Sequence, residues 1–227
     1  MNLRNALLSL LPGLLVVGAT EQQPLGSQEF NLIKELQKAE IIPTVFDSFH
    51  PLLKLNVTWK KVSADVGHTI KPKKMSKPPY VQLLGELPDF TTSDFTTSDE
   101  LPQLTLILTD PDARSRDNPD WSEMCHWIAT NISLTTSMSI NADEEQTWDE
   151  IVEYKPPGPP PKTGKHRYVF AALAPKNGTT ERLYLSKPKE RQHWGYGKER
   201  HGIRQWAEEN GLGVVGANFV YAEDKKQ

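Results

Sequence analysis

Between Lys155 and Lys165 the chain reads Lys-Pro-Pro-Gly-Pro-Pro-Pro-Lys-Thr-Gly-Lys, and neither a helix nor a central strand can pass through it. Five of those residues lack a backbone N–H and hold φ near one value. The flanking sequence is strand-like on both sides. This is the pattern of a stiff connection inside one domain; the bland readings are a plain linker or a polyproline ligand for another domain. The 18 prolines of the whole chain also argue against a helical bundle. A length of 227 residues leaves room for one domain of ordinary size and a short extra segment.

Residues 1–19, MNLRNALLSLLPGLLVVGA, have the layout of a secretory signal peptide. Arg4 precedes an apolar stretch from Ala6 to Val17, and small residues stand before Thr20. The stretch is too short to span a bilayer, and no second long apolar segment follows, so no transmembrane helix is expected. Removing Arg4 with it would take the net charge from −3 to −4. The expected organisation is a signal at 1–19, a flexible linker at 20–27 and one domain at 28–227, secreted or in the secretory route. A cytoplasmic N-terminal helix or a mitochondrial presequence is the alternative, and a single Arg and a lone Ser argue against the second. Sequons at Asn56, Asn131 and Asn177 are candidate N-glycosylation sites. With 26 basic against 29 acidic residues there is no global positive field, which excludes nucleic acid as a first guess. A single cysteine, Cys125, excludes an intrachain disulfide framework and a multi-cysteine zinc site.

Apolar spacing of three to four predicts a helix over Phe30–Ala39, with Ser27 as cap and Pro43 beyond its end. Leu53–Trp59 alternates as a half-buried strand does, whereas Leu104–Thr109, Tyr168–Leu173 and Val214–Tyr221 read as central strands. A short helix around Ile203, Trp206 and Ala207 closes near Gly211. Residues 89–98 repeat DFTTS and read as a solvated insertion.

Two clusters carry candidate chemistry. Asp110-Pro111-Asp112 holds two carboxylates in a defined turn at a strand end; its bland reading is an Asx turn bonded to its own backbone. His126 follows at the head of an apolar run and by itself reads as a core histidine. In the second cluster, period two places His166 and Tyr168 on one strand face and Arg167 on the other. An imidazole and a phenol beside free glycine amides suit an anion. Nearby carboxylates would raise the histidine pKa values. A divalent metal is the rival occupant, but no metal-ligand spacing appears. Nucleophile-elbow, P-loop and dinucleotide signatures are also missing. Cys125 and His126 are adjacent, hence on opposite strand faces, and make a poor catalytic pair.

Taken in order, Asp110-Pro-Asp-Ala, Trp121-Ser-Glu-Met-Cys-His126, Tyr154…Gly158-Pro-Pro…Gly164-Lys-His-Arg-Tyr-Val-Phe170, Trp194-Gly-Tyr-Gly197 and Gly216-Ala-Asn-Phe-Val-Tyr-Ala-Glu223 resemble the phosphatidylethanolamine-binding protein family. The resemblance covers roughly residues 28–224. Within the family the segments are most similar to the fungal carboxypeptidase Y inhibitor branch. The resemblance implies a mainly β fold: a central antiparallel sheet packed on a smaller sheet, with peripheral helices. It also implies a small pocket for phosphate or a phospholipid head group, and places Asp110, Asp112, His126, Gly158, Pro160, His166 and Tyr168 there. His126 and His166 would bring donors or charge, and Asp110 would orient a histidine. No cofactor, metal or catalytic residue is implied, and a monomer is expected. Inhibition of a serine carboxypeptidase is the further expectation. Acid–base chemistry by the His, Asp and Tyr groups on a small substrate is the rival, and a kinase-pathway scaffold the third reading. Three positions depart from the family pattern. Arg114 stands for a proline after the DPDA turn, and Pro156 and Lys162 stand for glycines. Residues 1–27 resemble a signal and linker where the inhibitor branch carries a segment that contacts its protease.

Overall fold

A computed structural model describes residues 25–60, 62–85, 87, 102–133, 138–140 and 148–225. Residues 1–24, which hold the expected signal and most of the linker, and the DFTTS repeat lie outside the described residues.

The two kinds of apolar pattern in the sequence map onto two kinds of strand. Strands β1 (Leu53–Trp59), β2 (Val62–Ser63), β4 (Tyr80–Gly85) and β7 (Met138–Ile140) form a small sheet in the order β2-β1-β4-β7. Along β1 buried residues alternate with exposed or half-buried ones, because only one face is covered. A six-stranded sheet has the order β3-β10-β9-β5-β6-β8: β3 (His68–Thr69), β5 (Gln103–Asp110), β6 (Met124–Ser133), β8 (Asp149–Val152), β9 (His166–Pro175) and β10 (Leu212–Ala222). Every pairing is antiparallel except the short β3–β10 pair. In β9 all ten residues are buried, since both faces are covered.

One face of the large sheet packs on the small one. Leu55 and Val57 of β1 and Val81 of β4 meet Leu106 and Leu108 of β5, Trp127 of β6 and Phe170 of β9. The opposite face carries Ile107, Cys125, Val169 and Ala171 against Leu36 of helix α1 (Leu25–Lys38) and Ile203 and Trp206 of helix α2 (Ile203–Glu209). Cys125 is thus a core residue facing away from His126. Close approach of the sheets requires Gly216: a Cβ there would lie 2.4 Å from the Leu53 carbonyl oxygen.

The fold is the mainly β architecture with peripheral helices that the sequence implies. Differences fall at boundaries. Helix α1 begins at Leu25, two residues before Ser27, so the end of the expected linker is helical. Asn131 is corrected as a glycan acceptor. It is buried, and its Nδ2 donates to Asp149 Oδ2 at 2.6 Å and to the Leu183 carbonyl, while its Oδ1 accepts from Leu183 N. That amide takes the place of a strand partner and leaves no room for a sugar. Asn177 is exposed, and Asn56 is half-buried on β1.

Candidate functional site

Strands β9, β5 and β6 are neighbours, and their registers bring the end of β5 beside the starts of β6 and β9. Asp110 pairs with Met124, and Thr109 with Val169. Asp110, His126, His166 and Tyr168 therefore gather at one end of the large sheet, although up to 58 positions separate them in the chain.

The two carboxylates of the DPD turn have different partners. Asp110 Oδ1 accepts the Asp112 N–H at 2.8 Å, which is the Asx turn of the bland reading, and Oδ2 accepts from His166 Nδ1 at 2.9 Å. Asp112 turns to the other face of β9. Its Oδ2 accepts from the Arg167 backbone N–H at 2.8 Å and from Nε at 2.9 Å, and its Oδ1 accepts from Nη2 at 2.5 Å. Both oxygens of Asp112 are occupied, so the expectation that it lines an anion pocket is corrected: it is a structural carboxylate. Ser122 pins the same turn by donating to the Pro111 carbonyl at 2.7 Å.

Tyr168 stands between the histidines. Its ring stacks on His166 at 6.4 Å and meets His126 edge-on at 5.2 Å. Its hydroxyl accepts the Gly158 N–H at 3.2 Å. Burial, followed by the Asp110 charge, holds the Tyr168 pKa well above that of a free phenol. At neutral pH the phenol thus keeps its proton and remains a donor.

Each histidine is anchored at Nδ1. His126 Nδ1 donates to the Lys155 carbonyl at 2.7 Å. Its Nε2 has no protein partner among the described residues. Burial pushes the His126 pKa down, and the upward pull of Asp110 does not overcome it. The expectation that neighbouring carboxylates would raise it is thus corrected: desolvation of the cation outweighs attraction at this depth. His126 is a neutral ring with its Nε2 lone pair available. His166 donates from Nδ1 to Asp110, and its Nε2 lies 3.0 Å from Thr163 Oγ1. Thr163 gives its own proton to the Pro160 carbonyl at 2.7 Å. With both nitrogens engaged, His166 offers no free donor, which narrows its expected role to orientation. Pro160 takes part through that carbonyl, with its ring exposed.

Positions outside the expected set also hold the site. Arg191 donates from Nη1 to the Cys125 and His126 carbonyls, each at 3.2 Å, and from Nη2 to the Glu153 carbonyl at 2.9 Å. It ties the His126 strand to the start of the proline-rich loop. Nothing in the sequence distinguishes it from a surface cation, because its acceptors are main-chain carbonyls about 40 to 70 positions away. Arg167 was legible only as lying on the opposite face from His166. Arg114 pairs with Asp120 through Nε at 3.0 Å and covers the Trp121 ring at 5.1 Å, so the loop cation is tied down. Lys162 is exposed at φ 66°, a left-handed backbone that favours the glycine for which it stands. Among the described residues, no group of three or more His, Cys, Asp or Glu side chains could hold a metal ion.

Residues 62–221 match the phosphatidylethanolamine-binding protein family. Carboxypeptidase Y inhibitor of Saccharomyces cerevisiae is 37% identical over 131 residues, a stretch covering 53% of this chain and 59% of that protein's own length. An uncharacterised protein of the same yeast is 32% identical over 200 residues, covering 85% of this chain and 94% of the relative. Among solved structures, carboxypeptidase Y inhibitor complexed with its cognate proteinase superposes with a TM-score of 0.73 at 30% identity, covering 87% of this chain and 97% of that one.

Proposed function

The chain belongs to the phosphatidylethanolamine-binding protein family, and from that membership we propose that it is a binding protein whose pocket takes a small anion, phosphate or a phosphoryl head group. The observation that supports this is the division of labour among the polar groups. Asp110, Asp112 and His166 are spent on one another, on Arg167 and on Thr163. Nε2 of His126 is the group left without a partner among the described residues, while the Tyr168 hydroxyl accepts the Gly158 N–H and faces the Asp110 carboxylate. His126 becomes a donor for an anion once it takes a proton, and Tyr168 and Gly158 can join it by turning from each other to the ligand.

Because His126 is neutral in the free protein, anion binding draws in a proton. Its pKa lies below the ordinary histidine value when the site is empty and rises when an anion sits on Nε2. Affinity therefore climbs as pH falls between those two values, by up to about tenfold per pH unit. Sulfate keeps its charge over this range and is the suitable probe. Calorimetry between pH 5.5 and 8 is expected to show affinity rising toward acid in the wild type, and weak, pH-independent binding in His126→Ala. Equal heats from the two proteins at every pH would overturn the pocket.

We further propose inhibition of a serine carboxypeptidase by a chain that enters the secretory route. The supporting observation is the similarity to a carboxypeptidase Y inhibitor solved in complex with its proteinase. Titration of a serine carboxypeptidase with protein beginning at Thr20 is expected to abolish peptidase activity near equimolar ratio. Full residual activity at large excess would end this reading.

A further inference from the structure

Two stretches without a single acid flank the His126–Tyr168 cluster. Residues 66–85 carry Lys71, Lys73, Lys74 and Lys77, and residues 154–164 carry Lys155 and Lys162. All six lysines are exposed, while Lys165 is set apart, 6.0 Å from the centre of the Tyr221 ring. The fold brings the two stretches together. Tyr154 donates from its hydroxyl to the Met75 carbonyl at 2.8 Å, placing the turn Pro72–Met75 against the start of the proline-rich loop. On the other side, Thr69 and Arg167 flank Tyr221 on neighbouring strands, and Ile70 N donates to the Tyr221 carbonyl. Lys155 supplies the carbonyl that anchors His126, and its charge reaches the His126 ring.

Among the described residues none of the six lysines has a carboxylate partner. Of the acids at the borders, Asp65 lies 3.3 Å from His68 Nδ1, Glu223 lies 3.8 Å from Lys225 Nζ, and Glu153 stands exposed just before Tyr154. Asp110 is hydrogen-bonded to His166, and Asp112, on the other face of β9, is paired with Arg167. An unbalanced cluster of this size stands out in a chain whose net charge is −3. An anion that spans several of these lysines meets complementary charge.

We propose that the pocket and this lysine collar form one site for a ligand with several phosphates, one seated at His126 and Tyr168 and the others on the collar. The inference rests on the anion pocket proposed above and specifies its ligand class. A zwitterionic head group fits it poorly, because an ammonium group there would meet more lysines than carboxylates. A second phosphate meets the complementary charge. The chemistry is shared by a free polyphosphorylated compound and by a lipid bearing a phosphorylated head group.

Calorimetry with inorganic phosphate, tripolyphosphate and phosphorylethanolamine tests this on the wild type and on Lys73→Glu/Lys74→Glu/Lys77→Glu. The substitutions are on exposed side chains, and an unchanged melting temperature verifies the fold. Tripolyphosphate is expected to bind at least about tenfold more tightly than phosphate, with a steeper salt dependence. Phosphorylethanolamine is expected to bind no more tightly than phosphate. The triple variant should lose most of the tripolyphosphate advantage while still binding phosphate. Phosphate binding with no tripolyphosphate advantage, or an advantage that survives in the variant, overturns the collar and leaves the pocket standing. No binding of any of the three overturns both. Sedimentation with phosphatidylcholine vesicles, with and without phosphatidylinositol bisphosphate, separates the sources. Vesicle binding that needs the bisphosphate identifies a lipid, and tripolyphosphate binding alone identifies a free compound.

Discussion

Replacing Arg167 by methionine is expected to lower the unfolding free energy by about 3–5 kcal/mol, the usual cost of stranding one member of a buried ion pair. Arg167 is 4% exposed and Asp112 1%. The guanidinium serves Asp112 through Nε and Nη2 and the Ala39 and Glu40 carbonyls through Nη1, at 2.7 and 2.9 Å. Those carbonyls follow helix α1 directly, where main-chain acceptors lack helical partners. Methionine fills much of the volume and supplies none of the donors. Asp112 is then left charged and buried, with its backbone bond from Arg167 alone. Urea denaturation at pH 7 measures the loss. The double variant Arg167→Met/Asp112→Leu is expected to recover part of it, since removing both charges avoids the stranded one. A loss below about 1 kcal/mol in the single variant would show that the pair is not the clamp between helix and sheet described here. Anion binding should also weaken in the single variant, because Asp112 N holds Asp110, which holds His166.

The second large effect is a pH dependence centred on Glu123. Its carboxyl is fully buried, and burial pushes its pKa up to about 8 despite the hydrogen bond with Thr109, the Ile203 backbone and the charges of Arg204 and Arg167. Hydrogen-bond accounting agrees. Thr109 Oγ1 lies 3.0 Å from Glu123 Oε2 and 3.1 Å from the Met124 carbonyl, and it accepts from Trp194 Nε1 at 3.3 Å. The single hydroxyl proton of Thr109 is shared between Glu123 and the Met124 carbonyl, so it satisfies a carboxylate poorly. Among the described side chains, Glu123 Oε1 is the one fully buried polar atom without a hydrogen-bond partner, a poor setting for a full negative charge.

In the unfolded chain this carboxyl titrates near its ordinary value of 4.5. The folded state therefore binds a proton that the unfolded state releases in the interval from 4.5 to about 8. The contribution is fully present below the lower value and lost as pH rises through the upper one. Its slope is at most about 1.4 kcal/mol per pH unit, several kcal/mol across the window. Glu123→Gln keeps the shape and removes the titration. Thermal melts from pH 5 to 8.5 are expected to show wild-type stability falling relative to the glutamine variant as pH rises. Parallel profiles would show that the carboxyl does not change charge on unfolding.

Strand types were readable because burial writes directly into residue pattern. Alternation in Leu53–Trp59 marks a strand covered on one face, and the apolar run in β9 marks one covered on both. The split of His166 and Tyr168 from Arg167 was readable for the same reason, since period two is local. The short strands β2 and β3 have no such signal, because two residues carry no period. Membership of one pocket came from the family resemblance: nothing local says that His126 and Tyr168 are neighbours.

The order of residues alone determined the chain's strand-rich class, its stiff proline loop and the faces of its longer strands, all of which rest on backbone geometry and periodicity within a few residues. The family was legible from motifs spread along the chain. Only the tertiary structure decided what each polar group is free to do. Asp110 and Asp112 are two positions apart and chemically identical, yet one orients a histidine of the pocket and the other balances a buried arginine. Asn131 fits a sequon and serves as a buried strand partner. His126 is neutral because the depth of the sheet removes water from around it. Partners and desolvation are set by groups distant in sequence, and they determine which protons and lone pairs remain for a ligand.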